Sequence, residues 1–477
     1  MKRDTLKAAT VTETGFALPF PLPRTALPEL SWPAFPNSRD AIVLALQHQL
    51  DDSQWLTPEQ HRQHQFCQLE RLLAHAVATV PWYRQRLAGI ARDGHRWLDL
   101  DTWQALPLLR RADVQEAGSA LISEAIPPGH GQPFDISSSG STGRSITVKG
   151  TGVTAVRFIA NQLRYHRWHR RDFSANMAAL VYLREVQRDA AEKNQGLPWN
   201  FTPDAGSMMF FDINAPVDKQ FAWLREQNPT YLVTYPSNLR ELLRLSHESG
   251  ASIPNLKEVL TLSEVVDRPL RIACQAIWGV NLADAYSAQE TGWIAIQCPE
   301  RPEYHVQSES LLVEILDAGG APCRPGEIGR VVLTDLHNFA TPLIRYEIGD
   351  YAEPGPPCVC GRGLPVIRRV WGRARNLVTL PNGERHWPTL PLKFRADTRV
   401  RQFQLVQKSL TGMELKLVAD RVLNPAEEEQ VRRQIEGNLG YPFEVQFTYC
   451  DSIPRSAAGK YEDFRSEILE SDSELVK

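Results

Sequence analysis

Hydrophobic residues recur at three- and four-residue spacing between residues 69 and 80, which predicts an amphipathic helix that ends at Pro81. From about residue 130 to 335 the pattern changes, and short β-rich apolar runs alternate with helical patterns. The runs are residues 177–183, 231–235, 258–262, 311–316 and 330–336. Alternation of this kind is typical of α/β sheets covered by helices.

Cap and stop signals place two of the intervening helices. Ser237 is a candidate N-cap for a helix that ends before Gly250. Asp267, followed by a proline two residues later, predicts the start of another helix, which ends before Gly279.

The last hundred residues have a different pattern. A hairpin is expected around residues 410–412, and Asn424 with Glu427 forms a capping box at the start of a helix that Gly440 ends. Residues 443–449 then alternate as a strand. These elements predict a compact α+β domain at the end of the chain. At the other end, residues 16–38 are rich in proline and aromatic residues, which predicts an extended arm lying on the main body.

Composition narrows the possible classes of protein. A chain of 477 residues has room for about two to four domains. Its 53 basic and 56 acidic residues give a net charge of −3, which argues against a dedicated nucleic-acid binder. The hydrophobic fraction of 42% is enough for packed cores.

The chain contains no apolar stretch long enough for a membrane span and begins without the apolar run of a secretory signal, so we expect a cytoplasmic protein with no membrane partner. Seven cysteines in a chain of this length do not indicate a disulfide scaffold.

A run of serines, glycines and a threonine at residues 137–143, followed by Arg144, can fold its backbone amides around an anion. It is not a G-x-x-x-x-G-K-[ST] loop, so an ordinary P-loop NTPase is not supported. The alternative interpretation of this run taken alone is a flexible polar linker.

Three further segments carry groups suited to a nucleotide. Tyr286 can stack on a base, and Glu290 can hold Mg²⁺ together with phosphate oxygens. Asp350 follows a glycine turn and can accept two ribose hydroxyls, and Lys460 can bring positive charge to a reacting phosphoryl group. Each has an ordinary alternative as a structural tyrosine, a solvated acid, a turn residue or a solvated lysine.

The order and spacing of these segments resemble those of the adenylate-forming superfamily, which contains acyl-CoA synthetases, adenylation domains and luciferases, and most of all its phenylacetate–CoA ligase-like branch. The resemblance covers most of residues 60–465. It implies an α/β fold, with a large multi-layer N-terminal domain and a small, mobile α+β C-terminal domain. We expect a proline-rich arm and first helices at 1–60, an AMP-binding domain at 61–373 with a cysteine- and histidine-bearing zinc-site insert at 298–361, and a small domain at 374–477 that carries the adenylation lysine.

The resemblance also implies roles for individual residues. The ATP phosphates are expected at Ser138, Ser139, Gly140, Ser141, Thr142 and Gly143. The remaining nucleotide-binding residues are expected to be Ser263, Glu264, Asp284, Tyr286, Asp350 and Arg373. Glu290 corresponds to the Mg²⁺-binding glutamate and Lys460 to the adenylation lysine, which makes these two the expected catalytic residues.

Three positions depart from the family pattern. The threonine that usually touches phosphate is Gln289, the hinge aspartate is Asn376, and the usual Gly-Ala-Glu of the adenine-side loop is Leu-Ser-Glu at residues 262–264. The expected core set for adenylation is retained.

A second site is indicated by cysteine and histidine spacing. Cys298 and His305 are close in sequence, and Cys358 and Cys360 form a C-x-C in a loop rich in proline and glycine at residues 353–363. Three thiolates and one imidazole are a ligand set for structural Zn²⁺, provided that the two pairs meet in space. The alternative is four unrelated polar or core residues.

Taken together, the sequence predicts an AMP-forming ligase that converts a small carboxylic acid, expected to be aryl or arylacetic, into an acyl-adenylate with ATP and Mg²⁺. The acceptor favoured by the resemblance is CoA. An amine or other nitrogen nucleophile, a carrier-protein thiol, and a non-catalytic nucleotide-binding relative remain alternatives. Tyr235 is a candidate substrate-pocket residue, with a core aromatic as the alternative. A monomer and a homodimer are both compatible with the sequence.

Overall fold

The fold was analysed in a computed structural model, which describes residues 23–27, 30, 33–89, 97–138, 145–202, 205–388, 390, 392, 400–456 and 460–468. The α-helices in this part of the chain are α1 Ser38–Ser53, α2 Pro58–Thr79, α3 Pro81–Arg86, α4 Leu100–Ala105, α5 Arg111–Ala117, α6 Gly152–Trp168, α7 Glu185–Glu192, α8 Val217–Gln227, α9 Pro236–Ser249, α10 Arg268–Trp278 and α11 Pro425–Leu439. None of them is long and apolar enough to cross a membrane.

The strands form one large sheet, one four-stranded sheet and two hairpins. Up to residue 306 they are β1 Phe134–Ser137, β2 Thr147–Gly150, β3 Met177–Val181, β4 Leu197–Pro198, β5 Ser207–Asp212, β6 Tyr231–Thr234, β7 Glu258–Thr261, β8 Asn281–Ala288, β9 Gly292–Gln297 and β10 Tyr304–Val306. The later strands are β11 Leu311–Leu316, β12 Gly329–Asp335, β13 Tyr346–Pro354, β14 Val366–Arg373, β15 Val378–Thr379, β16 Arg385–His386, β17 Gln402–Gln407, β18 Gly412–Val418, β19 Glu444–Tyr449 and β20 Phe464–Ser466.

The large sheet has twelve strands in the order β11-β12-β13-β14-β10-β9-β8-β7-β6-β3-β5-β4. From β5 to β8 neighbouring strands are parallel and α8, α9 and α10 pack against them, as expected for crossover connections. From β8 to β11 the pairing is antiparallel. Strand β8 therefore belongs to both halves, and its register shifts between Tyr286 and Ser287, where it enters the antiparallel half.

The predicted helix signals are confirmed with one correction. Asp267 caps α10 by accepting the Leu270 N–H, and Gly250 and Gly279 end their helices in the left-handed conformation. Ser237 is not an N-cap: α9 begins at Pro236, because a proline at the first helical position has its φ already set for the helix.

The C-terminal prediction is also confirmed. Strands β17 and β18 form the expected hairpin, Asn424 and Glu427 form the capping box of α11, and β19 follows. Together with β20 these strands form a four-stranded sheet, and its buried face packs on α11. We call residues 377–468 the small lobe and the preceding chain the large lobe; the turn Ala374–Asn376 joins them.

The described part of the N-terminal arm lies on the large lobe. The Arg24 N–H donates to the Phe201 carbonyl, and the Arg24 guanidinium donates to the Thr202 carbonyl at 2.8 Å. This agrees with the predicted arm, although residues 1–22 lie outside the described part of the chain.

Candidate functional site

The expected nucleotide-site residues come from strands β8, β13 and β14 of the large sheet, and the Tyr286 hydroxyl bridges β8 to Asp350 of β13. In parallel sheets, ligands bind outside the carboxyl ends of the strands, where chain connections diverge. Strand β8 brings Tyr286 to this edge, and Glu290 follows it directly. Strands β13 and β14 bring Asp350 and Arg373, which are direct cross-strand partners.

Asp350 is held by two groups that fix the direction of its carboxylate. The Tyr286 hydroxyl donates to Oδ2 at 2.8 Å, and the Arg373 Nε lies 3.1 Å from Oδ1. Burial and the neighbouring Asp350 carboxylate raise the pKa of Tyr286 well above its ordinary value, so the phenol stays a donor.

Glu290 is 5% exposed. The Tyr346 hydroxyl lies 3.5 Å from its carboxylate and the Arg111 guanidinium 4.0 Å from it. Among the described residues these side-chain contacts are long, which suits a carboxylate that binds a cation.

Arg111 is a site residue that the sequence analysis missed. It begins α5, and its guanidinium donates to the Ser138 hydroxyl at 3.0 Å. Ser138 in turn pairs with Ile146 across the end of the β1–β2 hairpin. Ser138, the last described residue before the rest of the Ser/Gly run, therefore lies beside Arg111. The remaining expected phosphate-binding residues lie outside the described part of the chain: Ser139, Gly140, Ser141, Thr142 and Gly143.

The small lobe brings Lys460 to the same place. Burial and the nearby Arg373 lower the pKa of Lys460, while the carboxylates of Asp350, Glu290 and Glu264 act in the opposite direction. The N–H of Tyr461, the residue after Lys460, donates to Glu264 of the large lobe at 2.7 Å. Lys460 therefore lies at the junction of the two lobes, within range of the charges of these large-lobe residues.

Asp284 is held within the large lobe, whereas Ser263 and Glu264 lie at its junction with the small lobe. The Asp284 carboxyl is buried and accepts hydrogen bonds from Thr261 and Tyr304, and burial raises its pKa. Ser263 has a left-handed backbone with φ of 70°, and the Glu264 side chain points towards the small lobe.

The sequence analysis also singled out Tyr235 and Asn376, and both make contacts within the protein. Tyr235 is 5% exposed in the core between the parallel strands and their helices, and its hydroxyl accepts the Tyr182 N–H at 3.5 Å. Asn376 donates from its side-chain amide to the Phe464 carbonyl of the small lobe at 2.8 Å, and its side-chain oxygen accepts the Arg373 N–H.

Cys298, His305, Cys358 and Cys360 meet in space. Strand β10 folds back on β9 so that His305 lies near Cys298, and the loop between β13 and β14 carries the other two. All four donor atoms lie within 4.8 Å of one another. The Cys298 and Cys358 sulfurs are 3.8 Å apart, and the Cys360 sulfur is 3.3 Å from the His305 Nε2.

These distances fit the tetrahedral coordination of a metal ion. Zinc–sulfur bonds of about 2.3 Å at tetrahedral angles place two sulfurs about 3.8 Å apart. Burial lowers the pKa of His305 to about 4, so the ring is neutral and can act as a ligand. Burial raises the pKa of the Cys298 thiol to about 12, and a bound cation offsets such a shift by stabilising the thiolate.

Comparisons with known proteins support the overall fold. Residues 392–466 match the CapK C-terminal domain family. A phenylacetate–coenzyme A ligase of Thermus thermophilus is 24% identical over 431 residues, which are 82% of this chain and 93% of that protein. A 2-hydroxyisobutyryl-CoA ligase structure in the postadenylation state, with 2-HIB-AMP bound, superposes with a TM-score of 0.68 at 16% identity, covering 87% of this chain and 91% of that one. The same ligase in the thioesterification state, with CoA bound, gives a TM-score of 0.55 at 17% identity over 86% and 90% of the two chains.

Proposed function

We propose that this chain, a phenylacetate–CoA ligase-like member of the adenylate-forming superfamily, activates a carboxylic acid with ATP and then transfers the acyl group to CoA. The observation that carries the proposal is the contact of the Lys460 segment with the large lobe, where the Tyr461 N–H donates to Glu264 at 2.7 Å and brings Lys460 within range of the charges of Asp350 and Arg373. Activation of a nucleotide needs a cation near the phosphates and an acceptor for the ribose hydroxyls, which are the roles proposed for Lys460 and Asp350.

In the first half-reaction a carboxylate oxygen of the acid attacks the α-phosphorus of ATP. The bond between that phosphorus and the bridging oxygen breaks, and pyrophosphate leaves with the electron pair. Negative charge grows on the phosphoryl oxygens, and Lys460 and Arg111 are placed to offset it. Asp350 accepts the ribose hydroxyls in this proposal, while Tyr286 and Arg373 hold its carboxylate in place.

Glu290 is the residue proposed to hold Mg²⁺, because its carboxylate is buried and makes only long side-chain contacts among the described residues. It also lies near Arg111, which contacts Ser138 of the proposed phosphate-binding run. When bound, the ion supplies further positive charge to the phosphates. No protein nucleophile is required, since positioning and charge stabilisation carry the step.

In the second half-reaction the thiol of CoA gives up its proton to water and its sulfur attacks the acyl carbon. The bond between that carbon and the phosphate oxygen breaks, and AMP leaves with the electron pair. An aryl or arylacetic acid is the substrate class proposed from the resemblance.

We also propose that Cys298, His305, Cys358 and Cys360 hold a structural Zn²⁺. Four protein ligands leave no open position, so the ion has a role in folding and not in the reaction. It would fasten the loop between β13 and β14 to the β9–β10 hairpin.

The deciding experiment measures pyrophosphate release from ATP with a panel of aromatic and arylacetic acids. Acid-dependent release supports adenylation, and its absence with every acid favours a nucleotide-binding protein without turnover. CoA, ammonia, amines, nitrite and a carrier protein are then offered as acceptors with the best acid. Formation of a thioester with CoA supports the proposal. Formation of an amide or of a carrier-bound product, without a CoA thioester, would show that the acceptor is an amine or a carrier protein.

A further inference from the structure

We propose that Glu264 is a positioning residue that clasps the small lobe onto the large lobe during adenylation, so that Lys460 is held in the nucleotide site. This inference rests on the proposed function. We call Glu264, Ser237, Arg455 and Tyr461 the clasp.

The Glu264 carboxylate joins the two lobes through its two oxygens. Oε2 accepts the Ser237 N–H at 2.8 Å, and Oε1 accepts the Ser237 hydroxyl at 3.1 Å, both within the large lobe. Oε1 also accepts the Tyr461 N–H of the small lobe at 2.7 Å. One carboxylate therefore connects the start of α9 with the segment that carries Lys460.

Arg455 adds a charged contact from the small lobe. Its Nη1 donates to the Ser237 hydroxyl at 2.9 Å and lies 3.6 Å from Glu264 Oε1. The side chains of Glu264 and Arg455 are only 9% and 12% exposed. Water screens such a pair weakly, and hydrogen bonds to a buried charged group are stronger than those between neutral groups.

The backbone before Glu264 is held in an unfavourable conformation. Ser263 has a φ of 70°, a left-handed conformation that costs free energy for a residue with a side chain. The Glu264 N–H donates to the Leu262 carbonyl, which closes this tight turn. The turn directs the carboxylate out from the end of β7 towards the small lobe.

The clasp acts directly beside the lysine. The amide that Glu264 accepts is that of Tyr461, the residue next to Lys460 along the chain. The Ser456 N–H also donates to the Lys460 carbonyl, and the Lys460 N–H donates to the Ser456 hydroxyl. Losing the Glu264 contact frees the segment that fixes the position of the ammonium group.

A cleft of about 560 Å³ lies between the lobes next to Arg455. Charged and apolar residues of both lobes line it, among them Glu241 and Arg401 beside Ile213 and Ile453. The lobes are therefore not packed against each other on this side of the clasp.

The test separates the two half-reactions in Glu264→Gln, which keeps the side-chain volume and removes the charge. We expect acid-dependent pyrophosphate release to fall about 10- to 100-fold. Thioester formation from CoA and a synthetic aryl acyl-adenylate should stay within about twofold of the natural chain, because that step does not need Lys460 in place. Arg455→Gln should reproduce this split from the other side of the contact.

Glu428→Gln is the matched control, since Glu428 forms an ion pair with Arg432 on the same helix of the small lobe. It should leave both half-reactions unchanged. Equal losses in both half-reactions, or no loss in either, would overturn the clasp.

Hydrogen exchange at the Tyr461 amide gives a readout that does not depend on activity. Exchange should be at least about tenfold faster in Glu264→Gln, and an unchanged rate would overturn the proposal. If the natural chain releases no pyrophosphate with any acid, the proposed function fails while the exchange experiment still decides the clasp.

Discussion

The cysteine–histidine cluster and the Lys460 site are both assembled from distant segments, but they are completed in different ways. Cys298, His305 and the two loop cysteines belong to one lobe, and each offers an atom that can bind a cation. The proposed Lys460 site mixes carboxylates with cations and takes its lysine from the other lobe. The first would be completed by one ion, whereas the second would be complete only while the lobes are together.

The largest expected effect concerns the site shared by the lobes. Lys460→Ala should lower acid-dependent pyrophosphate release by about 10²- to 10³-fold, because one preorganised charged donor is lost from the developing charge. Zinc content and thermal stability should not change. Lys416→Ala is the control, because Lys416 is a partly exposed lysine of the small lobe. Near-normal release by Lys460→Ala would reject its role.

The cluster should respond in the opposite manner. Cys360→Ser should reduce zinc below about a tenth of an equivalent and lower the Tm by roughly 5–10 °C, because the loop loses its fastening. Elemental analysis and thermal melting measure these effects. Cys67→Ser, at an exposed cysteine away from the cluster, should retain both properties. Natural chain purified after metal-replete expression with less than about a tenth of an equivalent of zinc would contradict the site.

Substitution of Arg111 tests the large-lobe side of the proposed nucleotide site. Arg111→Gln should lower pyrophosphate release about tenfold with most of the effect in the KM for ATP, because it removes a charge beside Ser138 and Glu290. Arg110→Gln is a close control, since Arg110 is the exposed neighbour in sequence. Equal effects of the two substitutions would show that Arg111 has no specific contact with the phosphates.

The smallest effect is expected at the hydrogen bond between Tyr286 and Asp350. Tyr286→Phe removes only the hydroxyl that donates to Asp350, and it should raise the KM for ATP about threefold to tenfold. Tyr441→Phe, in the small lobe beside Phe443, should have no effect on it. A Tyr286→Phe enzyme with an unchanged KM would mean that Arg373 alone fixes the carboxylate.

Sequence patterns predicted most of the fold because its signals are local. The run at residues 311–316 is β11 without change, and the capping box at Asn424 starts α11 as expected. The Ser237 cap was wrong because the preceding proline competes for the same helix start. Local propensity could not decide between the two.

Long-range contacts in the site were beyond such patterns. Glu264 was expected at the adenine-side loop, but its carboxylate binds Ser237 and the Tyr461 amide 197 residues further along the chain. Arg111 lies in an unremarkable stretch near the start of α5, and no spacing rule connects it with Glu290. The cysteine and histidine pairs were recognised because metal ligands have a short-range spacing of their own.

The side chain of Asn376 has a consequence for the pivot between the lobes. Its amide both donates to the small lobe and accepts from the large lobe, which a carboxylate in the same orientation could not do. An uncharged joint of this kind has no proton to gain or lose and no counterion to attract. The strength of this contact should therefore stay the same across changes in acidity and ionic strength that weaken the charged contacts around it.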